Sequence, residues 1–117
     1  MKKIKITANG VVIPATLNDT VAAKDFEKRL PFKTTGNDSG IDYCCIAKEG
    51  KYDRNELQDD WNNGDIGFGS GWFALLYGGQ EESKVYKDQM IIGHMDDGFE
   101  AMIERLPSSV EFLVEEA

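Results

Sequence analysis

Hydrophobic and polar positions alternate through residues 2–17, and this pattern predicts a β-hairpin. Asn9 and Gly10 stand at its centre, and both residue types tolerate the positive φ angles of a type I′ turn. Folding the chain about this turn places the apolar side chains on one face, so the register and the pattern agree. These predicted inward residues are Ile4, Ile6, Val11, Ile13, Ala15 and Leu17.

Two later segments have the apolar spacing of amphipathic helices. The first is Thr20–Leu30, where apolar residues recur every four positions until Pro31 ends the pattern. The second begins after Asp97, which has Glu100 three residues later at the spacing of a capping box, and it ends before Pro107. Both patterns predict short helices that lay one face against a core.

The remaining apolar segments predict further strands at 32–35, 41–47, 66–69, 72–77, 89–95 and 110–115. Eight strands and two helices favour a mainly β fold, a closed eight-stranded barrel with two short capping helices, because closure removes exposed sheet edges. Side chains fill a barrel of this size, so a ligand would bind on its outer wall or at a mouth. The length of 117 residues fits one domain, 1–117.

The charge balance narrows the expected partners. The chain has 13 Lys and Arg against 21 Asp and Glu, a formal net charge of −8, which repels phosphate backbones and excludes nucleic acid as an expected partner. No stretch approaches the roughly 20 apolar residues of a membrane span. The first residues lack the apolar stretch of a secretory signal. We therefore expect a cytoplasmic protein that contacts neither nucleic acid nor membrane.

Few residues offer catalytic or metal-binding chemistry. His94 is the one histidine, and its predicted strand also carries apolar residues, which favours a structural role over a functional one. Cys44 and Cys45 are adjacent, so one should face inward and one outward. Two reduced thiols are the favoured state, with a vicinal disulfide or redox pair as the alternative. The chain has no Cys-x-x-Cys and no credible zinc ligand set, and we expect neither a metal nor a cofactor.

Aromatic residues crowd the span from 61 to 86, which core packing or a small pocket would explain. Trp72 and Phe73 are neighbours on a predicted strand, so they cannot both point into the barrel. The favoured assignment has Trp72 inside and Phe73 outside. The reverse assignment, with Phe73 buried and Trp72 exposed, stays open.

Three segments resemble the cyclophilins. They are ATLNDTVAAKDFEKRL at 15–30, GSGWFA at 69–74 and MIIGHMDDGFEAMI at 90–103. A closer resemblance is to the bacterial and archaeal cyclophilin-like domain proteins, which share the helix ending in Leu-Pro and the Gly64–Ile66 and Gly93–Asp96 segments. The resemblance covers nearly the whole chain. It implies the same barrel, and this group has no established activity to carry over.

The resemblance also implies a ligand site. Phe73 takes the position of the phenylalanine that walls the cyclophilin proline pocket, Gln89 replaces a histidine there, and Cys45 replaces the catalytic arginine. The predicted pocket residues are Phe73, Gln89, Cys45, Tyr77 and Tyr43.

The loss of the arginine decides the expected function. A fixed cationic donor aimed at the reacting group is worth roughly 3–4 kcal/mol in catalysis, and a thiol supplies little of this. We therefore expect a non-catalytic module that binds a small molecule or peptide. One alternative is a weak or specialised peptidyl-prolyl isomerase, in which Arg54 would substitute near Phe73. Another is a structural or oligomer-forming protein without a ligand.

Overall fold

The strands form a closed antiparallel barrel in the computed structural model, which describes residues 1–117. The strands are β1 (Lys2–Ala8), β2 (Val11–Leu17), β3 (Phe32–Asp38), β4 (Tyr43–Ile46), β5 (Asp65–Gly69), β6 (Trp72–Leu76), β7 (Ile91–Met95) and β8 (Ser109–Glu116). Around the barrel they follow the order β1-β2-β7-β5-β6-β4-β3-β8, and β8 pairs with β1 to close it. The predicted fold class is confirmed.

The hairpin of β1 and β2 has the register that its pattern predicts. Ile6 lies opposite Ile13, and Asn9 and Gly10 form the turn with φ angles of 49° and 78°. The six residues predicted to face inward are all at most 3% exposed. Alternation alone therefore fixes which face of this hairpin covers the core.

Two short α-helices bury their apolar faces in the same core. The first, α1 (Val21–Glu27), begins at Thr20, whose hydroxyl accepts a hydrogen bond from the Ala23 N–H at 3.1 Å. The second, α2 (Phe99–Ile103), begins after Gly98, a left-handed residue with φ 92°. The predicted capping box at Asp97 is therefore wrong, because a glycine without a side chain occupies the cap position. With 7 and 5 residues, both α-helices are far shorter than the roughly 20 residues of a membrane-spanning helix.

Side chains fill the barrel interior, where 26 buried apolar residues form one cluster. Strands β2 and β7 approach closely where Gly93 pairs with Leu17. A Cβ at Gly93 would lie 2.4 Å from the carbonyl oxygen of Thr16, so only glycine fits there.

Two long connections lie outside the barrel and carry short 3₁₀ helices at Arg54–Glu56 and Gln80–Val85. Gln58 and Gln89 join these connections by two backbone hydrogen bonds, of 2.9 and 2.6 Å. The joined segments stand beside the outer face of β4, β6 and β5. They enclose a concavity that a bare barrel wall would lack.

Candidate functional site

A groove of about 620 Å³ lies on the outer wall of the barrel. Its floor is a row of small outward residues on three neighbouring strands. Ala74 of β6 pairs with Cys44 of β4 on one side and with Gly67 of β5 on the other. The residues before and after each of these point inward, since side chains alternate along a strand. Three small side chains in one row leave the space that the groove occupies.

Aromatic side chains form the ends of the groove. Trp72 lies two residues before Ala74 on the same face of β6 and is 48% exposed. At the other end, Trp61 packs with Leu76 and lies beside Tyr86, with ring centroids 5.4 Å apart. A ligand on the floor would therefore meet an aromatic ring at each end.

Hydrogen bonds fix Trp61 in place. Its indole N–H donates to the Gly78 carbonyl at 2.9 Å, and its backbone N–H donates to the Ser83 hydroxyl at 3.2 Å. Ser83 is itself fully buried, and its hydroxyl donates to the Gln80 carbonyl at 2.8 Å. The wall formed by Trp61 is thus preorganised, whereas the Trp72 indole makes no hydrogen bond within the protein.

Charged and polar residues also line the groove, and they include Arg54, Gln89, Lys87, Glu49 and Asp88. Of the five residues that the sequence predicted for a pocket, Gln89 is the one that lines this groove. Cys44, Ala74 and the walls Trp61, Trp72 and Tyr86 were not predicted as site residues. The crowding of aromatic residues between 61 and 86 was the signal that pointed towards the three aromatic walls.

The predicted orientation of β6 is wrong. Phe73 is 0% exposed and faces the barrel interior, whereas Trp72 faces outward. The cause is α1, whose Phe26 enters the interior and contacts Phe32, Phe68 and Phe73 with ring centroids 5.2–5.4 Å apart. Burying this cluster outweighs burying one indole, so β6 turns its phenylalanine inward.

On β4, the side chains of Cys45 and Tyr43 also point into the barrel. Cys45 pairs with Phe73 and is 0% exposed, and burial raises the pKa of its thiol to about 12. The Tyr43 hydroxyl donates to the Pro107 carbonyl at 2.9 Å, so this bond holds the segment that follows α2 against the barrel. As predicted for adjacent strand residues, one cysteine faces inward and Cys44 faces outward, onto the groove floor. Both thiols are free.

Tyr77 follows the end of β6 and lies outside the groove lining. Its ring is 6.0 Å from that of Tyr43, and its hydroxyl donates a short hydrogen bond to Asp38. Burial, followed by this bond and the nearby carboxylates, raises the pKa of Tyr77. The pair ties the end of β6 to the end of β3.

His94 lies on the outer side of β7, away from the groove. Its Nδ1 is 2.9 Å from a carboxylate oxygen of Asp65, and the other carboxylate oxygen accepts from the Asn62 N–H at 2.9 Å. Its ring packs edge-on against Phe99 at 6.1 Å. These contacts connect β7, β5 and α2, in line with the structural role that the sequence favoured.

Solved structures share this barrel. The solution structure of the hypothetical protein AF2241 from Archaeoglobus fulgidus aligns with a TM-score of 0.71 at 17% identity, over 99% of this chain and 95% of that one. The structure of McbB in complex with tryptophan aligns with a TM-score of 0.67 at 16% identity, over 97% of this chain and 44% of that one. At such identities the likeness shows the fold alone.

Sequence comparison identifies the family. No curated protein sequence matches the chain significantly. The model of the cyclophilin-like family matches residues 6–115, which is nearly the whole chain and agrees with the resemblance seen in its motifs. The chain belongs to the cyclophilin-like family.

Proposed function

We propose that the chain is a non-catalytic binding module whose outer groove takes a small molecule, or the side chain of a short peptide, with an aromatic group. The groove itself is the observation that carries this proposal. Its volume of about 620 Å³ falls in the range of roughly 300–1,000 Å³ typical of small-molecule pockets. Small floor residues leave room for a flat ring, and aromatic walls offer it apolar faces.

The exposed apolar rim supports the same proposal. Trp72, Tyr86 and Tyr52 are 48%, 49% and 43% exposed and all line the groove. Ile46 is 75% exposed and pairs with Trp72 across β4 and β6. Large apolar side chains grouped around a concavity are typical of binding surfaces. Covering them would favour binding by about 25 cal/mol per Å² of apolar area removed from water.

The comparison with McbB supplies a first probe. That protein was solved with tryptophan, whose indole is a flat aromatic ring of a size that the groove here could hold. Tryptophan is therefore the compound with which to begin a search for ligands.

Arg54 favours a second candidate function, a weak or specialised peptidyl-prolyl isomerase. Arg54 lines the groove, where a cationic donor for a twisting amide would be needed. Phe73 weighs against this candidate, because its ring lies inside the barrel and gives the groove no proline-pocket wall. Cys45 also lies inside, and its thiol stays neutral.

The test uses the fact that both tryptophans of the chain, Trp61 and Trp72, line the groove. Their indole N–H signals in ¹H–¹⁵N spectra report on it directly during titration with tryptophan, other small aromatic compounds and short aromatic peptides. We expect at least one compound to shift both signals, and Trp72→Ala to weaken its binding about tenfold.

The control for this test is an exposed apolar residue that lies outside the groove. Val12 is as exposed as Trp72 but lies on β2, outside the groove, so Val12→Ala should leave the affinity unchanged. The proposal is wrong if no compound shifts the two indole signals, or if Trp72→Ala and Val12→Ala affect binding alike.

A further inference from the structure

We infer that the ligand of the groove carries a carboxylate and that Arg54 binds it. This inference rests on the proposed function and names the class of ligand, an aromatic carboxylate. The starting observation is a cation without a partner in a strongly acidic chain. Two basic residues line the groove. Lys87 forms a salt bridge with Asp59, whereas Arg54 takes part in none of the salt bridges of the protein.

Each carboxylate next to Arg54 in the chain accepts a hydrogen bond from a backbone N–H, and neither forms a salt bridge with Arg54. Asp53 caps the 3₁₀ helix, and its Oδ1 accepts from the Asn55 N–H at 2.9 Å. The Oε1 of Glu56 accepts from the Val21 N–H at 2.9 Å, which ties this loop to the first turn of α1. Backbone donors thus hold both acidic neighbours, and the guanidinium stays available.

Arg29 shows the contrast, because its side chain is engaged within the protein. Arg29 donates to the Lys48 carbonyl, lies 3.8 Å from a carboxylate oxygen of Asp25 and stacks 4.9 Å from the ring centre of Phe68. Arg29 is therefore a structural cation. Arg54 has none of these contacts, and its planar fork of donors suits a carboxylate in two-point contact.

The other charged residues of the groove indicate which charges the ligand carries besides its carboxylate. Lys87 lies 3.6 Å from Asp59, and Asp42 accepts a hydrogen bond from Ser39, so both are engaged. Glu49 and Asp88 line the groove without a protein partner. They would oppose a ligand that is only anionic, whereas an ammonium group beside the carboxylate would suit them. An aromatic amino acid is the member of the class that satisfies both signs of charge.

Three matched probes test this inference by isothermal titration calorimetry. L-tryptophan carries both charges, L-tryptophanamide lacks the carboxylate, and indole-3-propionate lacks the ammonium. We expect the wild-type protein to bind L-tryptophan at least about tenfold more tightly than the amide, because each charge-assisted hydrogen bond that is lost weakens binding by roughly this factor. Arg54→Gln should remove this difference, and Arg54→Lys should retain part of it because the point charge remains.

Arg105→Gln is the matched control. Arg105 is exposed just beyond α2 and also lacks a salt bridge, but it does not line the groove, so its substitution should leave all three affinities unchanged. Equal binding of L-tryptophan and its amide would overturn the inference and leave the proposed function standing. A preference for the acid that persists in Arg54→Gln would overturn the role of Arg54. Binding of none of the probes would count against the proposed function itself.

Discussion

Phe26 of α1 stacks on Phe73 of β6 inside the barrel, with ring centroids 5.4 Å apart and ring planes 12° apart. This contact decides which face of β6 looks outward. Because Phe73 turns inward, Trp72, Ala74 and Leu76 turn outward, and the groove acquires its floor and one wall. A core contact thereby determines the composition of a surface site.

The two aromatic neighbours on β6 should respond differently to truncation. Phe73→Ala empties a fully buried position and should lower the free energy of unfolding by about 3–5 kcal/mol. Trp72→Ala removes a half-exposed ring and should lower it by less than about 1 kcal/mol. Urea denaturation followed by far-ultraviolet circular dichroism measures both. A larger loss from Trp72→Ala would contradict the assignment of faces.

Most of the fold could be predicted because its local signals agree with one another. The hairpin of β1 and β2 has both a turn with positive φ angles and strict alternation, and it folds as its pattern requires. The family motifs, spread over nearly the whole chain, indicated the barrel. At α2 the local signal misled, because Gly98 takes the cap position expected of Asp97.

The candidate site could be predicted only in part, since the residues of β6 do not by themselves determine which of its side chains point into the barrel. The strand Trp72–Leu76 is apolar on both faces, so alternation gives no preference for either. The choice depends on Phe26, a residue from another element. Because side chains alternate, a wrong choice of face shifts the outward set by one residue. The predicted site therefore contained Phe73 in place of Trp72 on β6, and Cys45 in place of Cys44 on β4.

Two glycines in neighbouring strands should give opposite results when replaced by alanine. At Gly93 a Cβ would lie 2.4 Å from the Thr16 carbonyl oxygen and 3.0 Å from the Leu17 Cα, so the backbone must move. Gly93→Ala should lower the free energy of unfolding by about 1–3 kcal/mol. At Gly67 the nearest atom lies 3.5 Å away, an ordinary contact.

Gly67→Ala is therefore both the control and a probe of the groove. Its stability should equal or exceed that of the wild type by up to about 1 kcal/mol, because glycine is unfavourable within a strand. The added methyl group would stand on the groove floor and should weaken ligand binding. Thermal denaturation compares the two variants, and equal destabilisation would contradict the difference in space between the two positions.

The adjacent cysteines should react at very different rates with iodoacetamide. Cys44 is partly exposed on the groove floor, whereas Cys45 is fully enclosed. Burial raises the pKa of both thiols above the ordinary value of 9, to about 12 for Cys45. Since the thiolate is the nucleophile, alkylation of Cys44 should be slow at pH 7 and rise about tenfold per pH unit through pH 9.

Peptide mass spectrometry measures this difference. Cys45 should be modified only in denaturant, and Cys44→Ser should leave the folded protein unreactive. A bound ligand should slow the reaction of Cys44 by covering the floor. Rapid modification of Cys45 in the folded protein would contradict its enclosure between Phe73 and the core.

Isomerase activity on a standard X-Pro peptide should be absent or marginal. Rotation of a peptide bond faces a barrier of about 18–20 kcal/mol, and lowering it requires a donor fixed against the twisting amide. Cys45 cannot act as that donor, because it is buried and faces away from the groove. Arg54 lies in the groove but has no partner that fixes it, and the phenylalanine that would hold the proline ring is inside the barrel.

A protease-coupled assay measures the isomerase rate against the uncatalysed rate, with Arg54→Gln and Arg105→Gln as the paired variants. Robust turnover that Arg54→Gln abolishes and Arg105→Gln preserves would establish the isomerase in place of the binding module.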